Sequence, residues 1–168
     1  MDILGPKVHD SMTYNSTNQY VQNGVAIWKS LNLVTFILGG EGLLVFFGNE
    51  FGQPDPIVFP SRNNNWCHKG ATRQWSLSEN RKLHFYHMNK FTKSLIQFIR
   101  SNPTLTSAPA KVLNLEHNKF KVQKGEFVIA GNFGCQHFDF SNLGEPLITT
   151  TESNQLKHGL YWAGVFKH

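Results

Sequence analysis

The chain has 168 residues, which is enough for one domain with a real core or for two small pieces. Hydrophobic residues make up 40% of it and aromatic residues 13%, so a core can be buried. The formal net charge is +5, but the basic residues form no block or stripe, which favours a solvated surface over nucleic-acid binding.

The two cysteines, Cys67 and Cys135, are isolated, which argues against a zinc site or a dithiol redox site. We therefore expect no metal and no cofactor. No run of about 18 apolar residues exists, so no membrane contact is expected. The N-terminal residues show no secretory signal, and two lone thiols fit a reducing compartment, so a cytoplasmic location is predicted.

Residues 1–23 are polar and aperiodic, which predicts a loop. Residues 24–38 carry apolar side chains at helical spacing and are followed by Gly39-Gly40, which predicts a largely buried helix with a left-handed C-cap. The short apolar run 43–48 predicts a strand buried on both faces. A long loop rich in polar and aromatic residues follows, as at the C-terminal face of an α/β barrel.

Residues 78–101 form the clearest amphipathic pattern, which predicts one helix that ends at Asn102-Pro103. The small residues of 104–110 predict a linker and a domain boundary. From residue 111 the period changes to two, in short segments separated by turn signals such as Gly125 and Gly131-Asn132. This pattern predicts an antiparallel β domain. The tail from Glu152 suggests an altered reading, an edge strand or disorder.

An ordered set of motifs carries a family resemblance. Gly-Asn-Glu-Phe-Gly at 48–52, Phe-Pro at 59–60, Asn-Asn-Trp at 64–66 and Arg-Gln-Trp at 73–75 occur in sequence. In this order the chain resembles the 1,4-α-glucan (glycogen or starch) branching enzymes of the α-amylase superfamily, from about residue 24 to about residue 151.

The resemblance implies a fold class of α/β followed by all-β. Residues 1–104 would be the last strand and helices of a (β/α)8 barrel, and 105–168 an antiparallel, β-sandwich-like domain. A complete barrel takes roughly 250 residues, so the resemblance implies a fragment, a truncated gene model or a degenerate relative. One barrel strand lacks neighbours, so strand 43–48 and the two long helices should be poorly covered in this chain alone.

The implied partner is an α-glucan: glycogen, amylose or starch. Sugar-binding proteins place aromatic rings against sugar faces and use polar side chains to bond the hydroxyls. The residues that fit those roles are Asn49, Glu50, Arg62, Asn65, Trp66 and Arg73. Alternatively, Asn49 and Glu50 bond loop backbone N–H groups, Trp66 and Trp75 pack the loop onto the barrel, and Arg73 stacks or pairs locally. Packing is the favoured interpretation for the tryptophans.

The family reaction is retaining transfer, which needs two carboxylates roughly 5 Å apart, and a third carboxylate assists. In the family these groups come from barrel strands that this sequence lacks, so no catalytic residue is predicted. His9-Asp10 looks like the family's His-Asp pair but lies after its expected place. The alternatives to a piece of a branching enzyme are a non-catalytic glucan-binding or regulatory module and a vestigial fragment.

Overall fold

The computed structural model describes residues 12–40, 42–134, 140–151 and 161–168. Its helices are α1 (Gln19–Leu38), a 3-10 turn (Arg62–Asn64), α2 (Trp75–Glu79), α3 (His84–Ser101), α4 (Thr104–Ser107) and a second 3-10 turn (Ser141–Leu143). Its strands are β1 (Ala110–Glu116), β2 (Lys119–Lys124), β3 (Phe127–Asn132), β4 (Ile148–Thr149) and β5 (Trp162–Lys167). His9-Asp10 lies outside the described residues.

The chain divides into two compact units, which do not follow a single cut in the sequence. The first comprises Met1–Asn18 and Leu44–Thr92, and the second comprises Gln19–Leu43 and Lys93–His168. The predicted domains 1–104 and 105–168 stay a prediction.

The first unit is built around a small apolar core. Phe51 and Phe85 are buried there, as are Met12, Leu77 and Met88. Backbone hydrogen bonds fasten the N-terminal segment to the start of α3: Tyr14 N–H donates to Lys82 O at 2.8 Å, and His84 N–H donates to Met12 O at 2.8 Å. Most of the unit between residues 48 and 75 is loop, so its shape depends on turns and side-chain bonds.

The predicted strand at 43–48 does not form. Residues 42–46 have no regular secondary structure, and residues 47–52 are turns. Leu44 is 88% exposed. The expectation of poor coverage is therefore confirmed for this segment, but it is wrong for α1, which buries one face. The physical reason is that a strand needs hydrogen-bonded neighbours, and no described residue provides them here.

The single helix predicted over 78–101 is two helices in the structure. α2 ends at Glu79, and Asn80 adopts an extended conformation (φ −80°, ψ 104°). The Asn80 side-chain oxygen accepts a hydrogen bond from the Lys82 N–H at 3.0 Å. An asparagine side chain that bonds the backbone two residues on favours a turn over a continued helix, which explains the break.

The second unit contains an antiparallel five-stranded sheet in the order β1-β2-β3-β5-β4. All six residues of β3 are buried, and β5 pairs with it from Phe127↔Lys167 to Asn132↔Trp162. Trp162 is completely buried and packs against Phe140 and Phe166. This sheet confirms the predicted antiparallel β segment.

Helix α1 packs on this sheet through one apolar stripe. Its buried apolar residues are Val21, Val25, Leu33 and Ile37, at helical spacing. Ser30 Oγ donates to Tyr161 O at 2.8 Å, and the buried Lys124 Nζ donates to Ile37 O at 3.1 Å. The helix ends as predicted, because Gly40 takes the left-handed conformation (φ +92°).

The segment 104–110 contains α4 and the first residue of β1, and the domain boundary predicted there stays a prediction. Two other expectations for the second unit are wrong. Gly131-Asn132 is no turn but the end of β3, where Gly131 faces the Phe120 ring. Residues 162–167 of the tail are not an edge strand, because β5 lies between β3 and β4. The strand predicted over 137–140 falls mostly outside the described residues.

Candidate functional site

The loop that carries the candidate residues begins with a tight turn. Gly48 has a positive φ of +84°, and its carbonyl accepts hydrogen bonds from Phe51 N–H at 3.1 Å and Gln53 N–H at 3.0 Å. Glycine suits this position because it adopts positive φ without steric cost. The turn leaves Asn49 exposed and Glu50 partly buried, and Phe51 points into the core.

Glu50 pairs with Arg73, which lies at the far end of the same loop. The distance from Arg73 Nε to Glu50 Oε1 is 3.0 Å, and the side chains are 36% and 18% exposed, respectively. The other carboxylate oxygen, Oε2, is buried and makes no hydrogen bond with any described residue. The contact is therefore a single one through Nε, not the two-point pairing that guanidinium and carboxylate often adopt.

Two aromatic rings hold the guanidinium of Arg73. Its Cζ atom lies 5.4 Å from the ring centre of Phe47 and 5.5 Å from that of Trp75. A cation within about 6 Å of a ring face is attracted by the ring quadrupole. Trp75 is itself 52% exposed and contacts the buried Phe51 ring at 6.2 Å. The arginine is thus fixed by one carboxylate and two rings at the protein surface.

The side-chain amides of Gln53 and Gln74 connect the two ends of the loop by hydrogen bonds. Gln53 Nε2 donates to Thr72 O at 3.2 Å, and Gln53 Oε1 accepts from Gln74 N–H at 2.9 Å. Gln74 Nε2 also donates to a carboxylate oxygen of Asp55. These bonds tie the residues after the turn to those around Arg73, so the position of Arg73 is defined by more than its own ion pair.

Arg62 begins the 3-10 turn in the middle of the loop, and Asn65 and Trp66 follow directly after it. Asn65 and Trp66 both have left-handed backbones, with φ of 52° and 57°. This conformation is ordinary for asparagine and uncommon for a bulky residue. It is stabilised here by the Trp66 N–H, which donates to Ser61 O at 2.8 Å. The Trp66 side chain is 63% exposed.

The structure brings together only part of the predicted set. Glu50 and Arg73 contact each other directly, which supports the alternative that Arg73 stacks and pairs locally. No hydrogen bond or ring contact between described residues joins this pair to Trp66. Trp66 and Trp75 are 63% and 52% exposed, and Trp75 contacts the Phe51 ring, so the packing interpretation for the tryptophans stays a prediction. Among the described residues, the Asn49 side chain forms no hydrogen bond with the loop backbone.

Phe47 was missed as a site residue by the sequence reasoning. It lies in the apolar run that predicts a buried strand, and nothing in that pattern separates it from core residues. Trp75 was considered only as a packing residue. The signal that could have found the cluster is the Arg-Gln-Trp motif, since Arg73 and Trp75 stand two residues apart and the guanidinium contacts that ring.

The described parts of the chain contain no group of three or more His, Cys, Asp or Glu residues that could hold a metal ion. Among the described helices, none has the length and apolar character needed to cross a membrane.

Comparison with known proteins shows which family has a similar sequence. The chain is 36% identical over 115 residues to the 1,4-alpha-glucan-branching enzyme of Solanum tuberosum, which is 67% of this chain and 13% of that enzyme. It is 38% identical over 102 residues to that of Emericella nidulans, which is 61% of this chain and 15% of the enzyme. The matched part of this chain belongs to the 1,4-alpha-glucan-branching enzyme family.

The match covers only a small part of each relative. The chain spans only 13 to 17% of the length of these curated branching enzymes. A scan against protein-family models found no match. The resemblance read from the motifs is confirmed by branching enzymes from plants and fungi.

The fold also has a solved counterpart. The isomaltulose synthase of Klebsiella sp. LX3 superposes on 84% of this chain and 38% of its own, with a TM-score of 0.56 and 13% identity. At this identity the likeness concerns the fold alone. The predicted fold class, the end of an α/β barrel followed by antiparallel β structure, is confirmed.

Proposed function

We propose that this chain is the section of a 1,4-α-glucan branching enzyme that carries the loop after the last barrel strand and the C-terminal β domain. The whole enzyme transfers α-1,4-linked glucan segments to form α-1,6 branches in glycogen or starch. The observation that carries the proposal is the identity of 36% over 115 residues with the potato branching enzyme. The cytoplasm is the proposed compartment.

The contribution of this section is to bind the glucan, not to cleave it. The reaction requires a carboxylate nucleophile and a carboxylic acid close to it. No residue of this sequence was matched to either group. Glu50 is no substitute, because its Oε1 is engaged by Arg73 and its Oε2 is buried.

The proposed glucan contacts are Asn49, Arg62, Asn65, Trp66 and Arg73, and Glu50 belongs to the proposed site through its ion pair with Arg73. The exposed rings of Trp66 and Trp75 are suited to stack on sugar faces, since each offers a large apolar surface next to polar groups. Arg62, Asn65 and Arg73 supply donors for hydroxyl oxygens. An α-glucan is therefore the proposed partner, and neither nucleic acid nor a membrane is proposed as one.

A chimeric enzyme tests the proposal. The segment of the potato branching enzyme that matches this chain is replaced by the sequence of this chain, and new α-1,6 linkages in amylose are measured. We expect the chimera to branch amylose, because the replaced segment supplies binding and support and the potato enzyme supplies the carboxylates. A chimera that folds, as shown by its thermal transition, and yet does not branch would contradict the proposal.

A second candidate is a glucan-binding module without catalysis. The exposed Trp66 and the Arg73 cluster favour it, because both are formed within this chain alone. Retardation of the isolated chain in a native gel that contains glycogen, together with an inactive chimera, would favour this function over the first. A chain that neither binds glycogen nor supports the chimera would be a vestigial fragment.

A further inference from the structure

The two Nη atoms of Arg73 form no hydrogen bond with any described residue. It carries five N–H donors, one on Nε and four on the two Nη atoms. Nε is directed to Glu50 Oε1 at 3.0 Å. No hydrogen bond joins either Nη to another described residue, and the side chain is 36% exposed. The terminal edge of the guanidinium is thus available to a ligand.

Glu50 determines which edge is available. In a two-point pair the second carboxylate oxygen would accept a hydrogen bond from one Nη atom. Here Oε2 makes no such bond, so Glu50 holds the arginine through Nε alone. The rings of Phe47 and Trp75, at 5.4 and 5.5 Å, restrict the guanidinium further. Little side-chain freedom is left to lose when a ligand binds, which favours affinity.

The planar fork formed by the two Nη atoms selects ligands with two adjacent oxygen acceptors. In an internal unit of an α-1,4 glucan, O1 and O4 belong to glycosidic bonds and O6 stands on a separate carbon. The only free hydroxyls on neighbouring ring carbons are those at C2 and C3. An arginine held at the surface between aromatic rings is therefore matched to this pair.

We propose that Arg73 binds the C2 and C3 hydroxyls of one glucose unit through its two Nη atoms, and that Glu50 is a positioning residue that fixes the guanidinium for this contact. The inference rests on the proposed function and assigns the sugar edge that this site reads. Because O6 takes no part, a glucose unit that carries an α-1,6 branch is accepted equally well.

The test compares maltoheptaose with its 2-deoxy counterpart, in which one of the two acceptors is absent. Both retain the ring faces for stacking, so the ratio of their dissociation constants isolates the hydroxyl contact. For the full chain we expect maltoheptaose to bind about tenfold more tightly, as measured by titration calorimetry, since hydrogen bonds to charged groups are among the stronger ones.

Variants at the ion pair show which residue produces this ratio. Arg73→Lys keeps the charge but removes the fork, so the ratio should fall towards one. Glu50→Ala should lower the ratio as well, because the guanidinium is no longer held through Nε. Glu50→Gln should restore part of it, since the amide oxygen can accept the Nε–H bond. A residue that acts only in folding would change the thermal transition without changing the ratio.

The matched control is Glu126→Gln in the second unit. It removes another single ion pair, between Glu126 and Lys167 at 3.1 Å, and should leave the ratio unchanged. The inference is overturned if the unmodified chain does not bind maltoheptaose, if it shows no preference over the 2-deoxy sugar, or if Arg73→Lys keeps that preference. Failure of this inference can be distinguished from failure of the proposed function. The binding ratio tests the Arg73 contact, and the chimera tests only whether this section supports branching.

Discussion

Gly131 lies near the end of the central strand β3, where a Cβ atom would come too close to its neighbours. A Cβ atom at this position would meet the Phe120 ring and would lie 3.0 Å from Trp162 O. Phe120 is buried, and the backbone of β5 is held by its pairing with β3, so neither neighbour has room to move.

We therefore predict that Gly131→Ala lowers the free energy of unfolding by about 1–3 kcal/mol, the usual cost of overpacking. Chemical denaturation with urea, followed by circular dichroism, measures it. A variant as stable as the parent would show that β2 and β5 can separate locally at this point.

Gly24 is the opposite case, in the interior of α1. Apart from its chain neighbours and the backbone of the helix itself, no atom of the described residues lies within 4 Å of a Cβ atom added there. Glycine in a helix loses more backbone entropy on folding than alanine does. Gly24→Ala should therefore stabilise the chain by about 0.5–1 kcal/mol. A higher melting temperature in calorimetry is the expected result, and a lower one would mean that this end of the helix is not formed in solution.

Among the elements, β1 is an edge strand with exposed apolar side chains. All seven of its residues are exposed, and it forms one edge of the sheet. Three of them, Val112, Leu113 and Leu115, are large and apolar, and Leu115 is 73% exposed. An exposed apolar edge strand is a template for pairing with other chains.

We predict that Leu115→Lys reduces self-association of the chain, since a charge on an edge strand opposes edge-to-edge pairing. Its effect on stability should stay within about 0.5 kcal/mol, because the side chain is exposed. Sedimentation velocity and thermal unfolding measure the two effects. The control is Val122→Lys on β2, which is buried and should unfold the sheet. Equal melting temperatures for the two variants would contradict the argument.

At the scale of the whole molecule, similarity in sequence to branching enzymes and the ability to catalyse branching are separate questions. The family is shown by identities of 31 to 38%, but the chain covers a small part of each relative. The reaction needs paired carboxylates, and no catalytic residue is predicted in this sequence. Binding and support are the contribution that we propose for this section.

We predict that the isolated chain forms no α-1,6 linkages when it is incubated with amylose. Debranching of the product followed by chain-length analysis measures them. The potato branching enzyme serves as the positive control under the same conditions. Any branching above the background without enzyme would show that the chain carries its own nucleophile and acid.

The helices, the β segment and the family could be predicted from the sequence because they depend on local or ordered patterns. The stripe of Val25, Leu33 and Ile37 follows the helical period, and the glycines at 39 and 40 mark where it ends. The alternation after residue 111 predicts strands for the same reason. The motifs around Asn49 and Trp66 identified the family without any knowledge of the fold.

Tertiary structure alone decided the elements that depend on distant partners. Leu43–Phe47 has the composition of a buried strand but pairs with no strand in the described part of the chain, so no strand forms there. β5 lies inside the sheet because β3 and β4 pair with its two edges, although its own residues do not reveal that place. Glu50, Phe47, Trp75 and Arg73 meet because a braced loop brings its two ends together, and no spacing rule along the chain encodes such a contact.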